Sequence, residues 1–149
     1  MPDYVFDTTF IIKGLIEPRR KKIDKEYENQ QRLHKRAKQY LEMVERNEIQ
    51  MIIPSVALIE TAAVISRLTN DEETAKDSVN FLLENANQIL FDYETLDSAL
   101  RIGIKTKASG FDTLFISALE LSKGTLTDDM NLHRLAIKNG FKSILLREI

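Results

Sequence analysis

Five short apolar runs separated by longer helical stretches constrain this chain more than any other feature. The runs are Tyr4–Phe6, Gln50–Pro54, Gln88–Tyr93, Thr125–Thr127 and Ser143–Leu146. Helical periodicity fills the intervals over Thr9–Ile16, Asp24–Asn47, Ser55–Leu68, Asp71–Asn87, Glu94–Lys107, Phe111–Ser122 and Asn131–Asn139. No two-residue hairpin signature joins any pair of runs. Strands that alternate with helices are the pattern of crossover connections, which parallel neighbours require. The expected class is therefore α/β, with a mainly parallel sheet of four to five strands covered by helices on both faces.

The punctuation of these stretches follows ordinary capping chemistry. Gly14 or Pro18 ends the first helix, Gly110 breaks the fifth from the sixth, and Gly140 closes the last. Ser55 and Asp71 read as N-caps. The 24–47 stretch carries Ile23, Tyr27, Leu33, Ala37, Tyr40, Leu41 and Val44 at intervals near three and four, which gives one amphipathic helix or two end to end.

With 149 residues, 43% of them hydrophobic and 30% charged, one domain over 1–149 is expected, with a core of its own. The absence of cysteine excludes disulfides, thiolate metal sites and cysteine nucleophiles. No apolar run approaches the roughly 18 residues of a membrane span, and no basic and then apolar leader opens the chain. A cytoplasmic protein with no membrane contact is the expectation.

A net charge of −2 conceals an asymmetry. Between Arg19 and Lys38 nine Lys and Arg face three acids, so this segment carries +6 and the remainder −8. A basic helical insertion at about 18–48 on an acidic body suits a polyanion, and equally suits a solvated helix with interleaved charges.

The acids matter most. In an open parallel sheet ligands bind beyond the carboxyl ends of the strands. Asp7 directly follows the first strand, and Asp128 and Asp129 directly follow the fourth. Glu60 lies about one and a half turns into the helix leaving the second strand, and Asp112 sits just past Gly110. Taken singly, Asp7, Asp112 and Asp128 suit helix caps or first-turn acids. Glu60 does not, because its helical neighbours Val56, Ala57, Ala63 and Val64 are all apolar, and an isolated carboxylate on an apolar face is costly. Together, the acids would repel one another unless a divalent cation lay among them. Oxygen ligands alone favour a hard ion, Mg2+ or Mn2+. His34 and His133 have no zinc-like spacing. Without a GxxxxGK[ST] loop or a nucleophilic triad, the chemistry these residues support is phosphodiester hydrolysis by metal-activated water.

Four stretches, YVFDTTFI, PSVALIETAAV, GFDTLFISALE and TLTDDMNLHRLAIKNGF, carry a resemblance over nearly the whole chain. In that order the chain resembles PIN-domain ribonucleases, and specifically the VapC-type toxins of bacterial and archaeal toxin–antitoxin pairs. The resemblance implies a three-layer α/β/α sandwich and a catalytic, metal-holding set of Asp7, Glu60, Asp112 and Asp129. Asp129 follows from the family's Thr-x-Asp pattern, and Asp128 shares or replaces it. Thr9 and Thr127 match hydroxyl positions close to the metal. The resemblance further implies Mg2+- or Mn2+-dependent endonucleolytic cleavage of single-stranded RNA, a homodimer, and a small antitoxin protein whose tail covers the site. One departure is the 53-position interval from Asp7 to Glu60, longer than in the compact toxins.

The surplus is the basic segment. Arg19, Arg20, Lys21, Lys22, Arg32, Lys35 and Arg36 offer contacts to RNA phosphates, joined by Lys13, Lys105 or Lys107. Alternatively Tyr27, Leu33, Tyr40 and Leu41 extend a dimer or antitoxin surface. Two other classes compete with the nuclease. One is a non-catalytic PIN module that binds RNA or a protein. The other is a receiver-like phosphoryl-transfer domain, which wants a Lys after the last strand where this chain has Arg147, Glu148 and Ile149.

Overall fold

The structure, a computed structural model, describes residues 2–149, so residue 1 of the expected domain lies outside the described residues. Five strands form one all-parallel sheet: β1 (Asp3–Phe6), β2 (Gln50–Pro54), β3 (Gln88–Leu90), β4 (Thr125–Thr127) and β5 (Ser143–Leu145). Their order is β3-β2-β1-β4-β5. β1 is central, with Val5 in register with Ile52 on one side and Thr125 on the other. Val5 and Phe6 are fully buried, as strands covered on both faces require. At the start of β4, Gly124 has φ +154, and a Cβ there would stand 2.6 Å from the Lys142 carbonyl oxygen. Only glycine lets the two backbones pass this closely.

Seven helices connect the strands: α1 (Thr8–Leu15), α2 (Lys25–Glu45), α3 (Ser55–Thr69), α4 (Glu72–Asn85), α5 (Leu96–Thr106), α6 (Gly110–Ala118) and α7 (Met130–Lys138). The chain moves from β1 to β2 to β3 in one direction, then crosses to β4 and β5 in the other. Right-handed crossovers then put α1–α4 on one face and α5–α7 on the opposite face. α1 packs on α2 and α3, and α3 on α4; across the sheet α6 packs on α5 and α7. The result is a three-layer α/β/α sandwich. No helix among the described residues is long and apolar enough to cross a membrane.

The basic segment is part of this sandwich. α2 is one continuous helix, N-capped by Asp24, which accepts the Tyr27 amide at 2.9 Å. Its Leu33, His34, Ala37, Leu41 and Val44 are buried. Gly14 of α1 lies against the Ala37 backbone and Leu41. The His34 Nδ1 pairs with the Lys13 carbonyl at 2.7 Å. Phe10 meets Phe6 and Tyr40 edge to face. Leu33 and Leu41 therefore belong to the core and Tyr40 is packed against it, which removes them from the partner surface expected for them. Only one face of α2 is polar, and that face alone carries the positive charge.

Three boundaries differ from expectation for local reasons. β3 stops at Leu90, because the Glu94 carboxylate accepts the Phe91 amide at 2.8 Å and turns the chain into a 3-10 turn over Asp92–Glu94. Ser55 does not cap α3: it is the first helical residue, after Pro54. Gly110 begins α6 rather than breaking it. The break is made by Lys107 in the left-handed region, φ 59, and by Ser109, whose hydroxyl accepts the Asp112 amide at 3.2 Å. Asp71 caps α4 as expected, accepting the Glu73 amide at 3.0 Å.

Candidate functional site

β1 and β4 are neighbours, yet the chain leaves β1 toward one edge of the sheet and reaches β4 from the other. Such a topological switch point opens a crevice beyond the carboxyl ends of the two strands. Asp7 ends β1, and Asp128 and Asp129 end β4. The order also separates the chain from receiver-like folds, whose sheets run 2-1-3-4-5.

Asp7 occupies the N-cap position of α1, but its side chain caps nothing. Instead Oδ2 accepts the Thr9 hydroxyl at 2.6 Å and the Thr127 hydroxyl at 2.7 Å. Those hydroxyls accept in turn: Thr9 from the Asp128 amide at 3.1 Å and Thr127 from the Asp129 amide at 2.9 Å. Two short relays thus tie one carboxylate oxygen to the backbone of the β4 exit loop, while Oδ1 is left without a protein donor. Only 5% of Asp7 is exposed. Burial pushes its carboxyl up to about 6, the two hydroxyl bonds work against that rise, and the charges of Asp129 and Glu60 add to it.

The consecutive acids after β4 part company. Asp129 N-caps α7, its Oδ1 accepting the Asn131 and Leu132 amides at 2.8 and 3.2 Å. Asp128 turns to Arg147 beyond β5. The guanidinium donates to the Asp128 carbonyl at 2.7 Å and stands 3.5 Å from Oδ1. That second contact is an ion-pair distance without hydrogen-bond geometry, since Oδ1 is buried and lacks a hydrogen-bond partner.

Asp112, in the first turn of α6, is half-buried. Burial raises its carboxyl above the ordinary value, and the Asp129 charge raises it further. Glu60 is half-buried on α3. Its apolar neighbours are unevenly buried: Ala57 is fully buried, Val56 and Val64 are half-buried, and Ala63 is exposed. Glu60 therefore stands at the rim of the core, where a carboxylate is tolerable without a partner. The Asp129 charge thus acts on both Asp7 and Asp112, and the Glu60 charge on Asp7. They are coupled through space and not in contact: among the described residues, no three acids or histidines form a ready-made metal cage.

Among the described residues, none of the candidate phosphate-binding cations forms an ion pair with Asp7, Glu60, Asp112 or Asp129. Lys13 reaches Gln30 on α2. Arg20 is spent on Asp24 through two bonds, at 3.0 and 2.5 Å, and with the Tyr27 amide this holds the Asp24 carboxyl down near about 2. Arg32 reaches Asn29. Arg19, Lys21, Lys22, Lys35, Lys105 and Lys107 are exposed, and Arg36 is half-buried. Arg32, Lys35 and Arg36 line a shallow groove along α2 together with Tyr27, Gln31 and the acidic Glu28. Both histidines are structural, with His133 Nδ1 at 2.7 Å from the Ser143 hydroxyl.

Arg147 and Ser109 carry roles that a scan for acids passes over. The basic residue just after the last apolar run was the available signal for Arg147, and the Ser-x-x-Asp spacing for Ser109.

No family model matches the chain, and no curated protein does.

Proposed function

We propose that this protein is a Mg2+- or Mn2+-dependent endoribonuclease that hydrolyses phosphodiester bonds of single-stranded RNA. The observation that carries the reading is the buried Asp7 carboxylate at the β1–β4 crevice, oriented by the Thr9 and Thr127 hydroxyls, with the charges of Asp129 and Glu60 acting on it. A buried carboxylate with neighbouring acids and no basic counter-ion is poised for a cation. The donor set is oxygen only, and Asp7 has one oxygen oriented by two hydroxyls and the other without a donor. By donor type these residues suit a hard divalent ion, which would have to draw the separated carboxylates together. Asp7, Asp112, Asp129 and Glu60 would hold it, with Asp128 withdrawn to Arg147.

A bound divalent ion would supply Lewis acidity, lowering the pKa of water and neutralising charge on a phosphodiester oxygen. The chain's own residues do the rest. Thr9 and Thr127 orient Asp7. A Glu60 or Asp112 carboxylate at the rim accepts a proton from the attacking water. The basic face of α2, with Arg32, Lys35 and Arg36, and the exposed Arg19, Lys21 and Lys22 hold phosphates of the strand.

The four sequence stretches that resemble PIN-domain toxins support the same reading, and extend it to a homodimeric cytoplasmic toxin restrained by a small antitoxin. The test is cleavage of a labelled single-stranded RNA with Mn2+. Wild type should cut, excess EDTA should stop it, and Asp7→Asn and Glu60→Gln should each lose at least a hundredfold. Undiminished cutting in EDTA or by Asp7→Asn would overturn the proposal. Specific RNA binding without cleavage by wild type would instead make the protein a non-catalytic binding module.

A further inference from the structure

Phe91 and Tyr93 stand just past the end of β3, and neither ring joins the hydrophobic core. They are 47% and 77% exposed. The two rings stack, with centroids 5.9 Å apart and planes 8° from parallel. Stacking covers part of each ring and leaves most of Tyr93 in solvent. The turn that carries the pair is fixed. The Glu94 carboxylate accepts the Phe91 amide at 2.8 Å, and the Glu94 amide donates to the Phe91 carbonyl at 2.9 Å. These reciprocal bonds hold the backbone on both sides of Tyr93, so the rings are presented without an ordering cost.

Strand register sets the pair beside the acids. Val5 is level with Ile52, so Asp7 is level with Pro54, and Pro54 is paired with Leu90. Leu90 thus lies two strand spacings from Asp7, about 10 Å, at the same carboxyl edge of the sheet. Phe91 follows it directly. Asp92, Ala108 and Gly110 line one cleft, so the aromatic turn also borders the start of α6, where Asp112 sits.

A flat, exposed aromatic surface at this place suits a nucleobase. Every base offers a π-face, and that face is free to stack on protein only where the strand is single. The surrounding charges say how the strand lies. Asp92, Glu94 and Asp97 are exposed around the pair and repel phosphates, so the base enters and the sugar-phosphate chain stays outside. Lys107, exposed next to Ala108 of the same cleft, offers a cation to the phosphate between the pair and Asp112.

We infer that Phe91 and Tyr93 form a stacking platform for one base of single-stranded RNA, beside the phosphate at the β1–β4 crevice and apart from it. The inference rests on the nuclease reading for the phosphate at Asp7, but its test needs no cleavage.

The chain has no tryptophan, so Tyr93→Trp puts a lone fluorescent reporter at a mostly exposed position. In EDTA a single-stranded RNA oligonucleotide should quench most of that fluorescence. A fully paired duplex, or an abasic ribose-phosphate strand of the same length, should quench little. By anisotropy of a labelled strand, Tyr93→Ala should weaken binding about tenfold, and Tyr93→Phe should bind as wild type does. Equal quenching by the abasic strand, equal binding by wild type and Tyr93→Ala, or no binding of any strand would overturn the inference. Cleavage in Mn2+ by a wild type whose RNA binding ignores Tyr93→Ala would remove the platform and leave the nuclease. Base-dependent quenching in a protein that cuts nothing in Mn2+ would keep the platform and remove the nuclease.

Discussion

The Thr127 hydroxyl donates to Asp7 Oδ2 at 2.7 Å across 120 positions of sequence. That bond joins the exits of β1 and β4, and it is paired with an equivalent bond from Thr9 to the same oxygen. Together they hold an acid in a buried place where its charge is opposed by burial and by two other acids.

The first prediction concerns pH. In the metal-free protein Asp7 titrates near about 6, raised from 3.8. Between roughly pH 4 and 6 the native state binds a proton that the unfolded chain has released, so stability falls as pH rises through that window. At about 1.4 kcal/mol per pH unit the loss is up to about 3 kcal/mol. Asp112, also raised, adds in the same direction. Asp7→Asn keeps a carbonyl for both hydroxyls and removes the charge. Urea denaturation in EDTA should show the variant more stable than wild type above pH 6, with the difference vanishing by pH 4.

Divalent ions should reverse that penalty. At pH 7.5 Mn2+ at about a hundred times its Kd should stabilise wild type by about 2.7 kcal/mol. Thermal unfolding should show the rise in Tm for wild type, and little or none for Asp7→Asn. Equal shifts in both proteins would place the ion elsewhere.

Arg147 should matter beyond its exposed position. It fixes the Asp128 carbonyl and faces the Asp128 carboxylate. Arg147→Ala leaves that largely buried acid without its counter-ion and should cost about 1–2 kcal/mol. Adding Asp128→Asn should recover part of the loss, a coupling that a double-mutant cycle in urea measures.

The seam between α1 and α2 gives a further test. A Cβ on Gly14 would stand 2.6 Å from Leu41 Cδ1 and 3.1 Å from the Ala37 backbone. Leu41 can swing aside but the backbone of Ala37 cannot. Overpacking of about 1–3 kcal/mol therefore outweighs the roughly 1 kcal/mol of helix propensity that Gly14→Ala gains. A lowered urea midpoint is expected. An unchanged midpoint would show that α2 is not the close-packed layer described above.

Local chemistry alone determined much of this protein. The alternation of apolar runs and amphipathic stretches pointed to a parallel α/β sheet, because a helix-length connection between short buried strands is what a parallel crossover requires. The acids after Phe6 and Thr127 were legible as strand-end residues for the same reason. What the tertiary structure decided was which strands became neighbours, and so which acids stand at the same crevice. Periodicity reports the face of an element and says nothing of its partner across 120 positions. It could not divide Asp128 from Asp129, which are adjacent in sequence, because that choice was made by Arg147 beyond β5 and by the cap of α7. Nor could it tell that α2 buries Leu33 and Leu41 while α5 leaves Leu100 and Ile104 in solvent. Both helices are amphipathic by sequence, and only packing against a particular neighbour removes an apolar stripe from water.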